Sequence, residues 1–142
     1  MSSIRLLFIT NNLPVSVLLR VFTWSDWSHV AAIMEDGETA IDATMLHGVS
    51  QRPLSAVTKG SKYAIREYEC ARPDKFYAFL REQVGKPYDF SGVFGIGLHR
   101  NWQDPENWFC SEIQACGLAI GESPRFANDQ WRVTPQNLWM AR

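Results

Sequence analysis

The chain has 142 residues, of which 46% are hydrophobic and 20% charged, which is ordinary for a globular protein. Fourteen basic residues nearly balance fifteen acidic ones, so the sequence predicts no surface for nucleic acid or another polyanion. No apolar run approaches the roughly 18 residues that a membrane span needs. The short run Leu6 to Ile9 lacks the cleavage site of a secretory signal. We therefore expect a protein that is cytoplasmic at synthesis, or exported by a route that needs no signal peptide.

Patterns of apolar residues predict one α+β domain over residues 1–142, with no linker or repeat. The predicted strands are Ile4–Thr10, Ser28–Met34, Thr39–Thr44 and Lys62–Tyr68, with a further strand and a final turn between Trp131 and Trp139. The predicted helices are Pro14–Phe22, Pro73–Val84 and Phe109–Ile120. Asp36-Gly37 predicts a two-residue hairpin between the second and third strands, and residues 48–59 are interpreted as irregular.

Three cysteines, an odd number without a secretory signal, argue against a disulfide framework. No spacing of cysteines and histidines matches a zinc site, so we predict neither a metal nor a cofactor. Cys110 opens a predicted helix, where unpaired N–H groups would stabilise a thiolate. Cys116 lies deeper on the apolar stripe and is interpreted as core, and Cys70 is given no role. By position alone, Cys110 is either a nucleophile or an inert buried thiol.

A thiol nucleophile needs a base, and a base needs a group that fixes its tautomer. His29 begins a strand that continues with apolar residues, so its ring is either tied down by hydrogen bonds or held at the sheet edge for use. Asp42 is an isolated carboxylate on the neighbouring predicted strand, where it either orients His29 or faces solvent. Thr44 and His47 are reserve candidates for that third role.

Five segments resemble one known pattern, that of the circularly permuted papain-like enzymes related to the NlpC-type cell-wall peptidases. This group includes the YiiX-like hydrolases and the lecithin–retinol acyltransferase family. The segments are the histidine strand Ser28–Ile33, the next strand Thr39–Thr44 leading to Gly48-Val49, the G-x-x-Y-D segment Gly85–Phe90, the F-C-S-E segment Trp108–Glu112, and the closing turn Val133–Leu138. Together they span about residues 4 to 138.

The resemblance implies a permuted papain-like fold, in which an antiparallel sheet packs against helices that include the nucleophile helix. It implies that Cys110 is the nucleophile, His29 the base and Asp42 the third catalytic residue. Tyr88 would donate to the oxyanion together with the backbone N–H of Cys110. One departure is that YiiX-like members usually place Glu, and the acyltransferases His, where this chain has Asp42.

These features predict a cysteine-dependent hydrolase or acyltransferase that cleaves an amide, peptide or ester bond through an acyl-thioester. The substrate would be a peptide, a cell-wall fragment or a lipid acyl group, and Trp24 and Trp27 are candidates for flanking the cleft. The alternative from another class is a catalytically inactive binding module of the same fold, in a phage or bacterial cell-envelope assembly. The state of the Cys110 thiol distinguishes the two, since an enzyme needs a stabilised thiolate.

Overall fold

The computed structural model of this protein describes residues 2–11, 26–44, 46–87, 110–126 and 133–141. The strands are β1 Ser3–Thr10, β2 His29–Ile33, β3 Thr39–Thr44, β4 Gly48–Pro53 and β5 Lys62–Glu69. The helices are α1 Leu54–Thr58, α2 Pro73–Gln83, α3 Cys110–Ile120 and α4 Pro135–Met140. The predicted helix Pro14–Phe22 lies outside the described residues. The α+β class is confirmed. Among the described helices, none has the length and apolar character to cross a membrane.

The five strands form one antiparallel sheet in the order β4-β3-β2-β1-β5. β1 is an interior strand, and its run from Ile4 to Ile9 is almost wholly buried because it is covered on both faces. It pairs with β2 on one side, with Ile9 opposite His29, and with β5 on the other. The start of β2, which carries His29, is thereby held against a strand that cannot move without disturbing the core.

Side chains alternate between two apolar layers on the two faces of the sheet. The larger layer takes even-numbered residues of β1 and β2 and packs against α2, α3 and α4. Its fully buried members include Leu6, Phe8, Phe76, Ile113 and Leu138. The smaller layer takes the odd-numbered residues of β1 and β2 and is covered by α1, through Leu54 and Val57. Helix α3, which begins at Cys110, therefore belongs to the larger core.

Close packing fixes where α3 lies. A side chain at Gly117 would come within 2.9 Å of the Phe76 ring, so the absence of a β-carbon there lets α3 approach α2 closely. At the beginning of α3, the hydroxyl of Ser111 donates to the main-chain oxygen of Val133, just before α4. The first turn of α3 is thus tied to a second element, and the position of Cys110 depends on both contacts.

Four sequence predictions are wrong in detail. The hairpin between β2 and β3 is not a two-residue turn, since Met34 pairs with Thr39 across a four-residue loop in which Gly37 has positive φ. Residues 48–59 are not irregular, because they form β4 and α1. Helix α2 ends one residue before Val84, which is exposed. The tail has a helix instead of a strand, because the Thr134 hydroxyl and the Asn137 side chain cap α4 reciprocally.

Candidate active site

The ring of His29 is placed by the residue before it. Ser28 is buried, and both its backbone N–H and its hydroxyl donate to the main-chain oxygen of Ile9, at 3.0 and 3.2 Å. These two hydrogen bonds fix the position of the backbone immediately before β2. The His29 side chain remains 18% exposed, so it lies where the core meets solvent. Its position suits a group that must meet a substrate and still keep fixed partners.

His29 and Asp42 are in direct contact across neighbouring strands. The distance from His29 Nε2 to Asp42 Oδ2 is 2.7 Å. Asp42 is completely buried, so the solvent-facing interpretation of this residue is wrong. A buried carboxylate at one ring nitrogen fixes the orientation and tautomer of an imidazole. The arrangement leaves Nδ1 as the ring nitrogen available to another partner.

Cys110 supplies a second partner for His29. It is the first residue of α3, and its side chain lies close enough to the His29 ring to raise the pKa of the imidazole. The first N–H groups of a helix have no intrahelical acceptor, so the start of α3 favours negative charge on the sulfur. Cys110 is also fully buried. The structure therefore brings a thiol, an imidazole and a carboxylate from α3, β2 and β3 into one row.

The surroundings of His29 favour its charged form. Burial alone would lower the pKa of the imidazole, but its interactions with Asp42, which accepts a hydrogen bond from the ring, and with Cys110 outweigh it. The result raises the pKa of His29 from its ordinary 6.5 to about 10. For Asp42, burial acts to raise the pKa, but His29 and Arg52 overcome it and hold the carboxyl pKa below its usual range. The row thus favours an imidazolium beside a carboxylate.

The reserve candidates for the third role lie elsewhere. The Thr44 hydroxyl accepts a hydrogen bond from the backbone N–H of His47 at 3.1 Å, and His47 is exposed. Asp42, and neither of these, lies against Nε2 of His29. Tyr88 and Trp24 lie outside the described residues. The Trp27 ring contacts Phe8 and Trp139 in the larger core, at centroid distances of 6.0 and 5.0 Å, so it anchors α4.

The other two cysteines are held as neutral thiols. Burial, with the charge of Glu112, raises the pKa of Cys116 to about 12. Burial also raises the pKa of Cys70, whose thiol contacts the main-chain oxygen of Gly121 at 3.6 Å. Thiolate is the reactive form of cysteine, so both environments suppress reactivity. Among the three, Cys110 alone has an imidazole partner within the part of the chain that the structure describes.

Two polar residues at the site were missed by the sequence reasoning. Arg52 on β4 donates from Nη2 to Asp42 Oδ2 at 2.8 Å, beside the His29 contact. Gln114, one helical turn after Cys110, is fully buried and donates from Nε2 to the main-chain oxygen of Ile41 at 3.1 Å. Arg52 could have been found only by recognising β4 and its register. Gln114 was signalled by its place among apolar neighbours, after the polar residues Ser111 and Glu112 of the first turn.

The segment leading to Tyr88 docks at the edge of β4. The backbone of Val49 donates to Lys86 and accepts from Gly85, at 2.8 and 2.9 Å. Gly48 has a φ of +61°, and a β-carbon there would lie 2.5 Å from the main-chain oxygen of Lys86. The segment Gly48-Val49 is therefore in contact with the beginning of the G-x-x-Y-D segment, and both were noted in the sequence. A glycine is required where the two segments meet.

Comparisons with known proteins give a similar structure but no similar sequence family. No model of a known protein family matches the chain, and no curated protein does either. Among solved structures, the crystal structure of metalloprotein yiiX from Escherichia coli O157:H7 aligns with a TM-score of 0.60 and 22% sequence identity. The alignment covers 82% of this chain and 63% of the yiiX chain, so this chain spans less than two thirds of that protein.

The solved yiiX structure is that of a metalloprotein, but the described residues of this chain do not fit a metal site. Among them, no group of three or more His, Cys, Asp or Glu side chains could hold a metal ion. At the site itself, the Asp42 oxygen that contacts His29 already contacts the Arg52 guanidinium, whose positive charge opposes a second cation. What this chain shares with yiiX is its fold, a small α+β domain with a five-stranded antiparallel sheet.

Proposed function

We propose that this protein is a cysteine-dependent hydrolase or acyltransferase with a permuted papain-like, NlpC-type fold. The observation that carries the proposal is the contact row in which Cys110 meets His29 and His29 meets Asp42. A thiol beside an imidazole that is itself oriented by a carboxylate has the parts of an activated nucleophile. The order of these residues along the chain, with the histidine strand before the cysteine helix, supports the permuted arrangement.

In the proposed reaction, His29 holds the Cys110 proton as an imidazolium, so the attacking group is the thiolate of an ion pair. The thiolate attacks the carbonyl carbon of an amide or ester, a carbon–sulfur bond forms, and the carbonyl electrons move to the oxygen. The backbone N–H of Cys110 would donate to this oxyanion, with Tyr88 as the second donor that the family resemblance implies. When the intermediate collapses, the leaving amine or alcohol takes the proton from His29, and an acyl-thioester remains.

Asp42 keeps the imidazolium favourable during these steps, because its negative charge lies 2.7 Å from Nε2. Water completes a hydrolysis by attacking the thioester while His29 accepts its proton. A different acceptor in place of water makes the same chemistry an acyl transfer. The candidate substrates are peptides, cell-wall fragments and lipid acyl groups, as the family resemblance implies.

The test compares the purified protein with Cys110→Ala and with Cys116→Ala as the matched control. Each protein is incubated with fluorogenic acyl esters, peptides and cell-wall fragments, and its alkylation by iodoacetamide is located by mass spectrometry. We expect Cys110→Ala to lose activity by a factor on the order of 10³ or more and to lose the neutral-pH label. The control should keep both. Undiminished hydrolysis by Cys110→Ala would remove the proposal.

One observation favours the second candidate, a binding module of the same fold without catalysis. Cys110 is fully buried, whereas reactive cysteines are commonly accessible in part. The pH dependence of its alkylation separates the two functions. The binding module would be favoured if the alkylation rate rose only near pH 8.5, where a free thiol ionises, and if no substrate were turned over. A rate already maximal near neutral pH would favour the enzyme.

A further inference from the structure

Arg52 lies on the same face of the sheet as Asp42. In the register between β3 and β4, Arg52 is opposite Ala40 and Ser50 is opposite Asp42, so Arg52 is the diagonal neighbour of the carboxylate. Its Nη2 donates to Asp42 Oδ2 at 2.8 Å, and its side chain is 24% exposed whereas Asp42 has no exposure. The pair is therefore an ion pair whose acidic partner is entirely withdrawn from water.

A single carboxylate oxygen receives two cationic donors. Oδ2 of Asp42 contacts both His29 Nε2 and Arg52 Nη2, at 2.7 and 2.8 Å. The other oxygen, Oδ1, is buried and has no hydrogen-bond partner among the described residues. Burying a carboxylate with so few partners is costly. Without Arg52, the contact with His29 would be the one remaining support of this charge within the described part of the chain.

We propose that Arg52 is a positioning residue for the proposed thiol chemistry, which keeps Asp42 ionised and keeps its Oδ2 directed at His29. The inference rests on the proposed function, because it assigns Arg52 a task in that reaction. Arg52 would act through Asp42 and would not touch the substrate. Together, His29, Asp42 and Arg52 form a row in which the acidic group lies between two basic groups.

The electrostatics of Asp42 give the direction of the expected effect. Burial acts to raise the pKa of this carboxyl, and the groups that lower it are His29 on β2 and Arg52 on β4. From α3, Cys110 reaches Asp42 only through the His29 ring. Loss of the Arg52 charge removes one of the two lowering influences, so the carboxyl would take up a proton at a higher pH. A neutral Asp42 would no longer stabilise the imidazolium.

The test uses Arg52→Gln and the conservative Arg52→Lys, each prepared with Cys110 intact and with Cys110→Ala. Arg81→Gln is the control, because it removes another arginine–carboxylate pair, with Glu35, at the exposed surface. The Asp42 carboxyl is titrated by carbon NMR in the Cys110→Ala proteins, where catalysis plays no part. The pH profile of turnover and of iodoacetamide labelling is measured in the proteins that keep Cys110.

We expect Arg52→Gln to move the Asp42 titration, and the acid limb of the pH profile, upward by about one pH unit or more. Arg52→Lys should give a smaller shift, since it keeps the charge but not the guanidinium geometry. Arg81→Gln should give none. Should Arg52→Gln fail to fold, as judged by thermal unfolding, the same comparison is read from Arg52→Lys.

An unchanged Asp42 titration in a folded variant would overturn the inference. Reduced turnover with an unshifted pH profile would also overturn it, since that result means a purely structural role. Failure of the proposed function gives a different pattern. The unsubstituted protein would then turn over no substrate. Arg52 would have no part in a reaction, even if the titration in the Cys110→Ala proteins showed that it keeps Asp42 ionised.

Discussion

The side-chain amide of Gln114 donates to the main-chain oxygen of Ile41, the residue immediately before Asp42, at 3.1 Å. Gln114 lies one helical turn after Cys110 and is fully buried. The contact therefore joins the helix that carries the thiol to the strand that carries the carboxylate. Because it is made to backbone and not to a side chain, it fixes the distance between two elements and leaves the charges of the site untouched.

Gln114→Leu should test this link. The substitution fills a similar volume but leaves the Ile41 oxygen without its buried donor, which should cost about 1–3 kcal/mol of unfolding free energy. Urea unfolding measures this loss. Gln51→Leu is the matched control, because the Gln51 amide also donates a hydrogen bond, to Thr39, but at the exposed surface. We expect a change within about 0.5 kcal/mol there. Equal losses in the two variants would contradict a structural link at Gln114.

Asp42→Asn should lower the pKa of His29. The carboxylate is the largest of the influences that raise this pKa, and burial, which lowers it, remains after the substitution. The imidazole should therefore titrate far below 10, as measured by NMR, and turnover should fall by about 10²-fold or more. Asp74→Asn, which alters an exposed pair with Arg72, is the control. An unchanged His29 titration in Asp42→Asn would show that the 2.7 Å contact does not govern the ring.

The stability of the fold should depend on pH through His29. Because the pKa of His29 is raised from 6.5 to about 10 in the folded protein, its contribution is fully present below pH 6.5 and is lost as pH rises toward 10. Unfolding free energies are compared between the unsubstituted protein and His29→Gln at several pH values. The difference in unfolding free energy between the two proteins should narrow as pH rises above 6.5, and the comparison is made from pH 6.5 to 8. A difference that is constant across this range would contradict a charged His29.

Gly48→Ala should disturb the contact between β4 and the segment Gly85–Pro87. The substitution places a β-carbon 2.5 Å from the Lys86 oxygen at a left-handed φ of +61°. Gly60→Ala separates the two effects, since Gly60 has a φ of +70° but nothing within 4 Å of the added carbon. Both variants should lose about 1–2 kcal/mol from backbone strain, and Gly48→Ala should lose more. Urea titration measures the unfolding free energy of both variants. Equal losses would show that the Lys86 backbone moves away from the added carbon at little energetic cost.

The sequence predicted the parts of the site that depend on a local hairpin and on a helix start. The predicted hairpin placed Asp42 on the strand beside His29, and the loop before Cys110 placed the thiol at a helix N-terminus. Arg52 was missed because Gly48–Pro53 alternates only weakly and ends in proline, so its pairing with β3 had no clear signature. Gln114 was missed because its partner is a backbone oxygen on a distant strand, which no local pattern reveals.

The tail was misread for a different reason. A strand and a final turn were predicted between Trp131 and Trp139, but Thr134 followed by Pro135 is a helix start, with Asn137 at the position that completes the cap. The capping residues were not recognised in the sequence. The catalytic roles of Cys110, His29 and Asp42 stay predictions, since their adjacency shows what the groups can do and not what they act on. The role of Tyr88, which lies outside the described residues, also stays a prediction.

The position of β1 between β2 and β5 has a consequence for the order in which the candidate site assembles during synthesis. β1 finds its first neighbour, β2, early and its second, β5, only after the chain has passed Glu69. The histidine and the aspartate can therefore meet within a hairpin while α3 is still unmade, and the sulfur joins them last because its contacts are distant in sequence. A growing chain on the ribosome would therefore hold His29 against Asp42 before Cys110 could reach the His29 ring.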